Sequence, residues 1–257
     1  GLDFVLDSQQ ESGLLVGEQK SHGPMYGHCI AALLLSEVSG MVDPARQERI
    51  DAALGPALKL ILAAQQVDKA RKHAGGWRYQ PRSTDSDISC SGWALLALRS
   101  ARGNGAAIPS EVIEKGIEYI LRCRHASGGF CYMPGREPGL ARTGTGMLCL
   151  ELLGRHDEPE TREAGEWILS HLPQTYGKPR FFCYGMYYAS QGMFQRGGEA
   201  WQRWAEAMYK VMLAGQREDG SWPASTGTEA QAGEAYATAM AVLAMTVSYR
   251  QLPIYQR

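Results

Sequence analysis

Two aspartates separated by one residue open an apolar run, Asp85-Ser86-Asp87-Ile88-Ser89-Cys90, which continues through Ser91, Gly92 and Trp93 into Ala94 to Leu98. Carboxylates at the start of such a run do one of two things. They accept the open amide hydrogens of a helix and complement its positive end, or one of them also reacts with a ligand. A second concentration is aromatic. Phe181, Phe182, Tyr184, Tyr187 and Tyr188 fall within eight residues, beside Met186 and Met193. Tyr184 and Tyr188 share a helix face, and Tyr187 and Gln191 share the neighbouring one. That pattern makes a wall for an apolar or cationic ligand, or ordinary packing. Tyr26 and Trp93 extend the set of ring-bearing candidates. His22, His28 and Cys29 lie near one another in the chain, but their spacing matches no standard metal site. A histidine that packs or hydrogen-bonds is the plainer reading. No metal site and no cofactor is implied, and no Gly-rich phosphate loop or Gly-x-Ser-x-Gly elbow occurs.

The elements that must hold these residues repeat. Leu58 to Leu98, Ile117 to Gly154 and Met208 to Met245 share one plan: an amphipathic helix, a turn ending in a small residue and an aromatic, a loop, then an apolar helix rich in small residues. Trp77 and Phe130 are 53 residues apart, and Phe130 and Trp222 are 92 apart, two steps of 46. A degenerate unit fills the interval, with a helix around Glu163 to Leu172 and the segment Cys183 to Phe194. A partial unit precedes them all. The expectation is a single domain of about five helix pairs, with repeats at 1–50, 51–103, 104–155, 156–200 and 201–257.

The first helix of each pair carries one apolar stripe, as in Ile113, Ile117, Ile120 and Leu121. The second is apolar or small nearly all round, as in Trp93 to Leu98 and Ala237 to Met245, and must be covered all round. An inner ring of such helices inside an outer ring of amphipathic ones, an α/α toroid, satisfies both; an open solenoid is the competing architecture. Gly75-Gly76, Gly128-Gly129 and Gly220 suit left-handed helix ends. Ser89, Thr143 and Thr145 read as N-caps, and the charged stretch Arg155 to Glu163 reads as a loop between repeats.

Composition narrows the partners. Lys plus Arg is 26 and Asp plus Glu 27, a net charge of −1, so nothing electrostatic points to nucleic acid or an anionic membrane. The longest nearly apolar run, Ala237 to Val247, is too short to span a bilayer. Six cysteines without a CxxC pair favour free, mostly buried thiols and a reducing, cytoplasmic compartment. Gly1 in place of Met reads as a trimmed start, so a removed signal peptide stays open.

A Gln near a helix end followed by Gly and an aromatic, as in Gln65 or Gln66 with Gly76-Trp77 and Gln216 with Asp219-Gly220-Ser221-Trp222, resembles the repeats of the squalene-cyclase and prenyltransferase family. Gly129-Phe130 keeps the motif without its Gln. The resemblance runs along essentially the whole chain and implies an α/α toroid. Within it, Trp77, Phe130 and Trp222 are structural rings. Triterpene cyclases of that family carry an Asp-x-Asp-Asp-Thr-Ala run whose middle aspartate protonates an alkene. By that resemblance Asp87 is the acid and Asp85 its support, with Tyr26, Trp93, Tyr184, Tyr187 and Tyr188 binding an apolar isoprenoid-type ligand. Here Ile88, Ser89 and Cys90 replace the last three residues of the run. Zinc-dependent prenyltransferases of the family need an Asp-x-Tyr-His-Thr segment. This chain has Glu234-Ala235-Tyr236-Ala237-Thr238, with Ala237 in the histidine position, so the zinc chemistry lacks a ligand. Val16-Gly17-Glu18-Gln19 resembles the thioester segment of complement-type α/α domains but has Val16 where the reactive Cys belongs.

Three functions follow. The first is an acid-initiated, isoprenoid cyclase-like enzyme. The second is a non-catalytic toroid that binds an apolar small molecule or a polypeptide. The third is another α/α-toroid enzyme, such as a polysaccharide-degrading one with two carboxylates.

Overall fold

Apolar helices and their amphipathic partners account for nearly every ordered element in the computed structural model. It describes all residues except 18–22, 179–180, 225–226, 250–252, 256 and 257. His22, Glu18 and Gln19, and so part of the proposed histidine cluster and of the thioester-like segment, lie outside the described residues. Among those described there is no strand, only isolated bridges such as Trp77 with Asp87 and Arg124 with Phe130. No helix is long and apolar enough to cross a membrane.

The chain divides into two compact units, Gly1–Cys123 and Arg124–Arg257. The first holds α1 (Leu2–Asp7), α2 (Met25–Val38), α3 (Pro44–Gln65), α4 (Ile88–Gly103) and α5 (Ser110–Arg122). Its core forms where α2 packs on α3 and α4, and α4 on α5. The start of α3 follows from its sequence: Asp43 accepts a hydrogen bond from the Arg46 amide at 3.1 Å, and Pro44 sits in the first turn, where its missing N–H costs nothing. On α5, Ile113, Ile117 and Ile120 are buried on one stripe, while Leu121 is half-buried.

The second unit holds α6 (Leu140–Leu152), α7 (Pro159–Ser170), α8 (Phe182–Arg196), α9 (Gly198–Gly215), α10 (Thr228–Ala232) and α11 (Glu234–Met245). Its core lies where α8 packs on α6, α9 and α11. The stretch read as a loop from Arg155 to Glu163 is helical from Pro159 onward, because proline's fixed φ suits a first helical position. Only the residues before it connect.

Backbone bonds tie Trp77, Phe130 and Trp222 into their units, and the two tryptophans add an indole bond. Trp77 and Trp222 donate their indole N–H to the carbonyls of Ile61 and Met212, each at 2.7 Å. The backbone N–H of Trp77, Phe130 and Trp222 is accepted by the hydroxyls of Ser91, Thr143 and Thr238 at 2.9, 2.9 and 3.0 Å. Thr143 is therefore not an N-cap. It sits one turn inside α6, whose cap position is Gly139, and Thr145 bonds back to Ala141. Ser89 also lies inside α4, where Asp87 is the cap. Gln65 of the repeat motif donates to the Gly75 and Val112 carbonyls at 2.9 and 2.8 Å.

Gly75, Gly128 and Gly220 do adopt positive φ, at 81°, 92° and 84°, but in the turns before the aromatics and not at helix ends. A Cβ on Gly75 would meet the Lys115 carbonyl oxygen at 2.3 Å, so close backbone approach adds to the conformational demand.

All-round burial holds for α4, α6 and α8 with few exceptions, among them the half-buried Trp93 on α4. It fails for α11. Ala237, Ala241 and Ala244 are buried on one stripe, whereas Val242 and Leu243 are 45% and 40% exposed. Among the described residues α11 packs on α8, α9 and α10, and the flank that carries Val242 and Leu243 meets water.

Candidate functional site

The aspartate pair of the first unit is organised by an arginine that sequence reasoning passed over. Asp87 leaves the helix in an extended conformation (φ −134°, ψ 159°), so its side chain folds back over the start of α4. Oδ1 accepts from the amides of Ser89 and Cys90, both at 2.9 Å, and Oδ2 accepts from Arg78 Nη1 at 3.1 Å. Arg78 Nε reaches the half-buried Asp85 at 3.3 Å. One guanidinium thus joins both carboxylates, and its central carbon stands 4.2 Å from the Tyr79 ring centroid. Tyr79 stacks on Tyr26 with centroids 5.7 Å apart, and its carbonyl accepts from Met25 at the start of α2. Asp85, Asp87 and Tyr26 are therefore drawn into one cluster. Trp93 lies further along the helix that Asp87 caps.

The electrostatics of the cluster are set by burial. Asp87 is wholly buried, which pushes its carboxyl above the ordinary aspartate range; the Cys90 amide and Arg78 oppose that shift. Lys69 was also unforeseen. It donates to the carbonyls of Ala64 and Gly76 at 3.0 and 2.6 Å, and burial lowers its ammonium to about 8 against the pull of Asp85. A run of polar residues between two helices gives no sequence signal for either cation.

His28 lies elsewhere in this unit. Its Nδ1 accepts from the Leu15 amide at 3.0 Å and its Nε2 is 3.1 Å from the Ala57 carbonyl. Both ring nitrogens are spent on backbone. Among the described residues no group of three His, Cys, Asp or Glu side chains is placed to hold a metal ion.

The tyrosines of α8 belong to the second unit. Tyr184 and Tyr188 meet edge-on at 4.7 Å, and Tyr187 meets Tyr188 at 5.1 Å. Tyr187 Oη is 3.2 Å from Tyr255 Oη. Tyr188 and Tyr187 are buried, and burial pushes both phenols up, so they stay protonated. Tyr184 is half-buried. The start of this helix is capped from far away: Glu229 on α10 accepts from the amides of Cys183 and Tyr184 at 3.3 and 2.9 Å. In the last repeat Glu234 pairs with Arg217 at 2.8 Å near the surface, and Ala237, at the histidine position of the zinc motif, is buried.

The family model for the prenyltransferase alpha-alpha toroid domain matches residues 2–178. No curated protein matches the chain. Type II terpene cyclase MstE from Scytonema superposes with a TM-score of 0.66 at 15% identity, over 95% of this chain and 69% of the cyclase. A variant of that cyclase in complex with its substrate geranylgeranyl dihydroxybenzoate gives 0.62 at 16% identity, over 96% and 70%. Candida albicans protein geranylgeranyltransferase-I complexed with GGPP gives 0.56 at 14% identity, over 82% and 69%.

Proposed function

Because this chain belongs to the prenyltransferase alpha-alpha toroid domain family and has its α/α-toroid fold, we propose that it binds an isoprenoid-type apolar ligand. The reading is carried by Trp93, an indole left half-buried on a helix whose neighbouring positions are otherwise closed. Tyr26 is likewise half-buried at the start of α2. Apolar sites are built from such ring surfaces, with a few polar groups fixing orientation. Structural neighbours that hold geranylgeranyl-bearing ligands support the ligand class.

The geometry of Asp87 bears on chemistry. An acid that protonates an alkene must carry a proton and aim it at the substrate. Oδ1 of Asp87 receives two amide hydrogens and Oδ2 a guanidinium hydrogen, the surroundings of an anionic helix cap. Binding without acid-initiated cyclisation is therefore the preferred reading. One observation favours the catalytic alternative, with Asp87 as acid and Asp85 as its support: full burial of Asp87 opposes its ionisation.

Incubation with geranylgeraniol, followed by extraction and mass spectrometry, separates the two. The binding reading expects unchanged linear alcohol to be recovered with the protein. It also expects Trp93→Ala to weaken binding about tenfold, or about 1.4 kcal/mol, and Asp87→Asn to bind as the parent does. A cyclic product that disappears in Asp87→Asn establishes the acid instead. No retained ligand removes the binding proposal.

A further inference from the structure

The second unit contains a cleft of about 980 Å³ that shares no residue with the aspartate cluster or the α8 tyrosines. It opens beside the turn that precedes α6 and the end of α7. Its polar groups come from His125, Glu137, His171, Gln174 and Lys178, and the rest of its wall, Trp167 included, is largely apolar. We propose that this cleft binds a neutral, polyhydroxylated ligand, a short oligosaccharide.

The argument starts from the two histidines, whose tautomers are set by opposite backbone partners. His171 Nδ1 is 2.8 Å from the Trp167 carbonyl, which only accepts. Nδ1 therefore carries the hydrogen, and Nε2 presents a lone pair. His125 Nδ1 instead accepts from the Ser127 amide at 3.2 Å, with the Ser127 hydroxyl 2.9 Å away. Its hydrogen is on Nε2. One imidazole offers an acceptor to the ligand and the other a donor. The charged groups repeat this balance, with Glu137 accepting and Lys178 donating, and the Gln174 amide supplies one of each.

A ligand group that both donates and accepts matches such a lining; an alcohol does so, and a sugar carries several. An anion would satisfy Lys178 and His125 but be repelled by Glu137. A cation would face the reverse conflict. Planar stacking completes the match. The His171 ring lies on Trp167 with centroids 3.9 Å apart and planes 14° from parallel, which holds the exposed imidazole flat, as a platform for the C–H face of a sugar ring. The volume falls within the range of small-molecule sites. Among the side chains named, only Glu137 is a carboxylate, so the cleft supports binding and not two-carboxylate glycoside hydrolysis.

The test uses the whole chain. Maltotriose, cellotriose and chitotriose are titrated by calorimetry and saturation-transfer NMR, with sodium pyrophosphate and spermidine as charged comparisons. At least one trisaccharide is expected to bind, with neither charged probe doing so. Glu137→Gln and His171→Ala, both at exposed positions, are each expected to weaken that sugar at least about tenfold, with circular dichroism unchanged. Lys178→Ala provides an independent variant outside the stacked pair and is expected to weaken it as well. Three results each overturn the proposal: no trisaccharide binds, pyrophosphate or spermidine binds, or sugar affinity is indifferent to all three substitutions.

Discussion

His28 shows how one buried side chain links the fold to pH. Its ring is closed off from water, with Leu15 donating to one nitrogen and the Ala57 carbonyl beside the other. Burial holds its folded pKa at about 4, below the ordinary 6.5. The unfolded chain then binds the extra proton first. Stability from this residue is fully present above pH 6.5 and is lost as pH falls toward 4. Asp87 has the opposite sign, since its raised carboxyl makes the folded state the better proton acceptor just above the ordinary aspartate range. Urea unfolding of the parent should therefore show a falling midpoint between pH 6.5 and 4.5, to which His28 contributes alongside His73, whose pKa burial also lowers. In His28→Leu the slope over that window should flatten. Stability at pH 7.5 should drop by about 2–5 kcal/mol, because a buried amide and a buried carbonyl lose their partner. An unchanged slope in the variant would count against a neutral, locked His28.

At the scale of elements, α8 depends on a carboxylate that is distant in sequence. Phe181, immediately before it, has φ of 59°, the sole positive value at a non-glycine residue among those described. Its side chain makes no capping bond. Glu229, buried on the five-residue α10, accepts the first amides of α8 instead. Glu229→Ala should cost about 1–2 kcal/mol and speed hydrogen exchange at Cys183 and Tyr184 above all other α8 amides. Glu229→Gln, with one acceptor oxygen, should fall between. Equal exchange in parent and alanine variant would show that α10 does not hold α8. Long-range capping of this kind marks the limit of what is legible in sequence. The repeat period and the structural Trp77, Phe130 and Trp222 follow from patterns in the sequence, whereas the Val112 partner of Gln65, 47 residues away, does not. Asp87 as a cap follows from such a pattern as well. Thr143 stood out as a hydroxyl near a helix start, but its partner is the Phe130 amide thirteen residues back. Arg78 and Glu229 carry no local signature, because their partners are chosen by tertiary packing.

At the scale of the molecule, six thiols sample both units: Cys29, Cys90 and Cys123 in the first, Cys131, Cys149 and Cys183 in the second. All are buried, and burial pushes Cys29 and Cys149 to about 12 and Cys183 to about 11. A thiol attacks as its thiolate, so reaction at neutral pH requires the surrounding structure to open. Opening is cheapest where few helical bonds must break. Cys131 sits in the turn between Phe130 and α6, held by its own bond to the Arg136 carbonyl. Cys29, Cys90, Cys149 and Cys183 lie inside helices and Cys123 at the end of one. Labelling with an alkylating reagent at pH 7.5, followed by peptide mass spectrometry, should find Cys131 modified first and by a wide margin. The remaining five should then react together within each unit only as denaturant is raised. Early labelling of Cys29 or Cys149 would mean that α2 or α6 opens more readily than a loop, which their complete burial argues against.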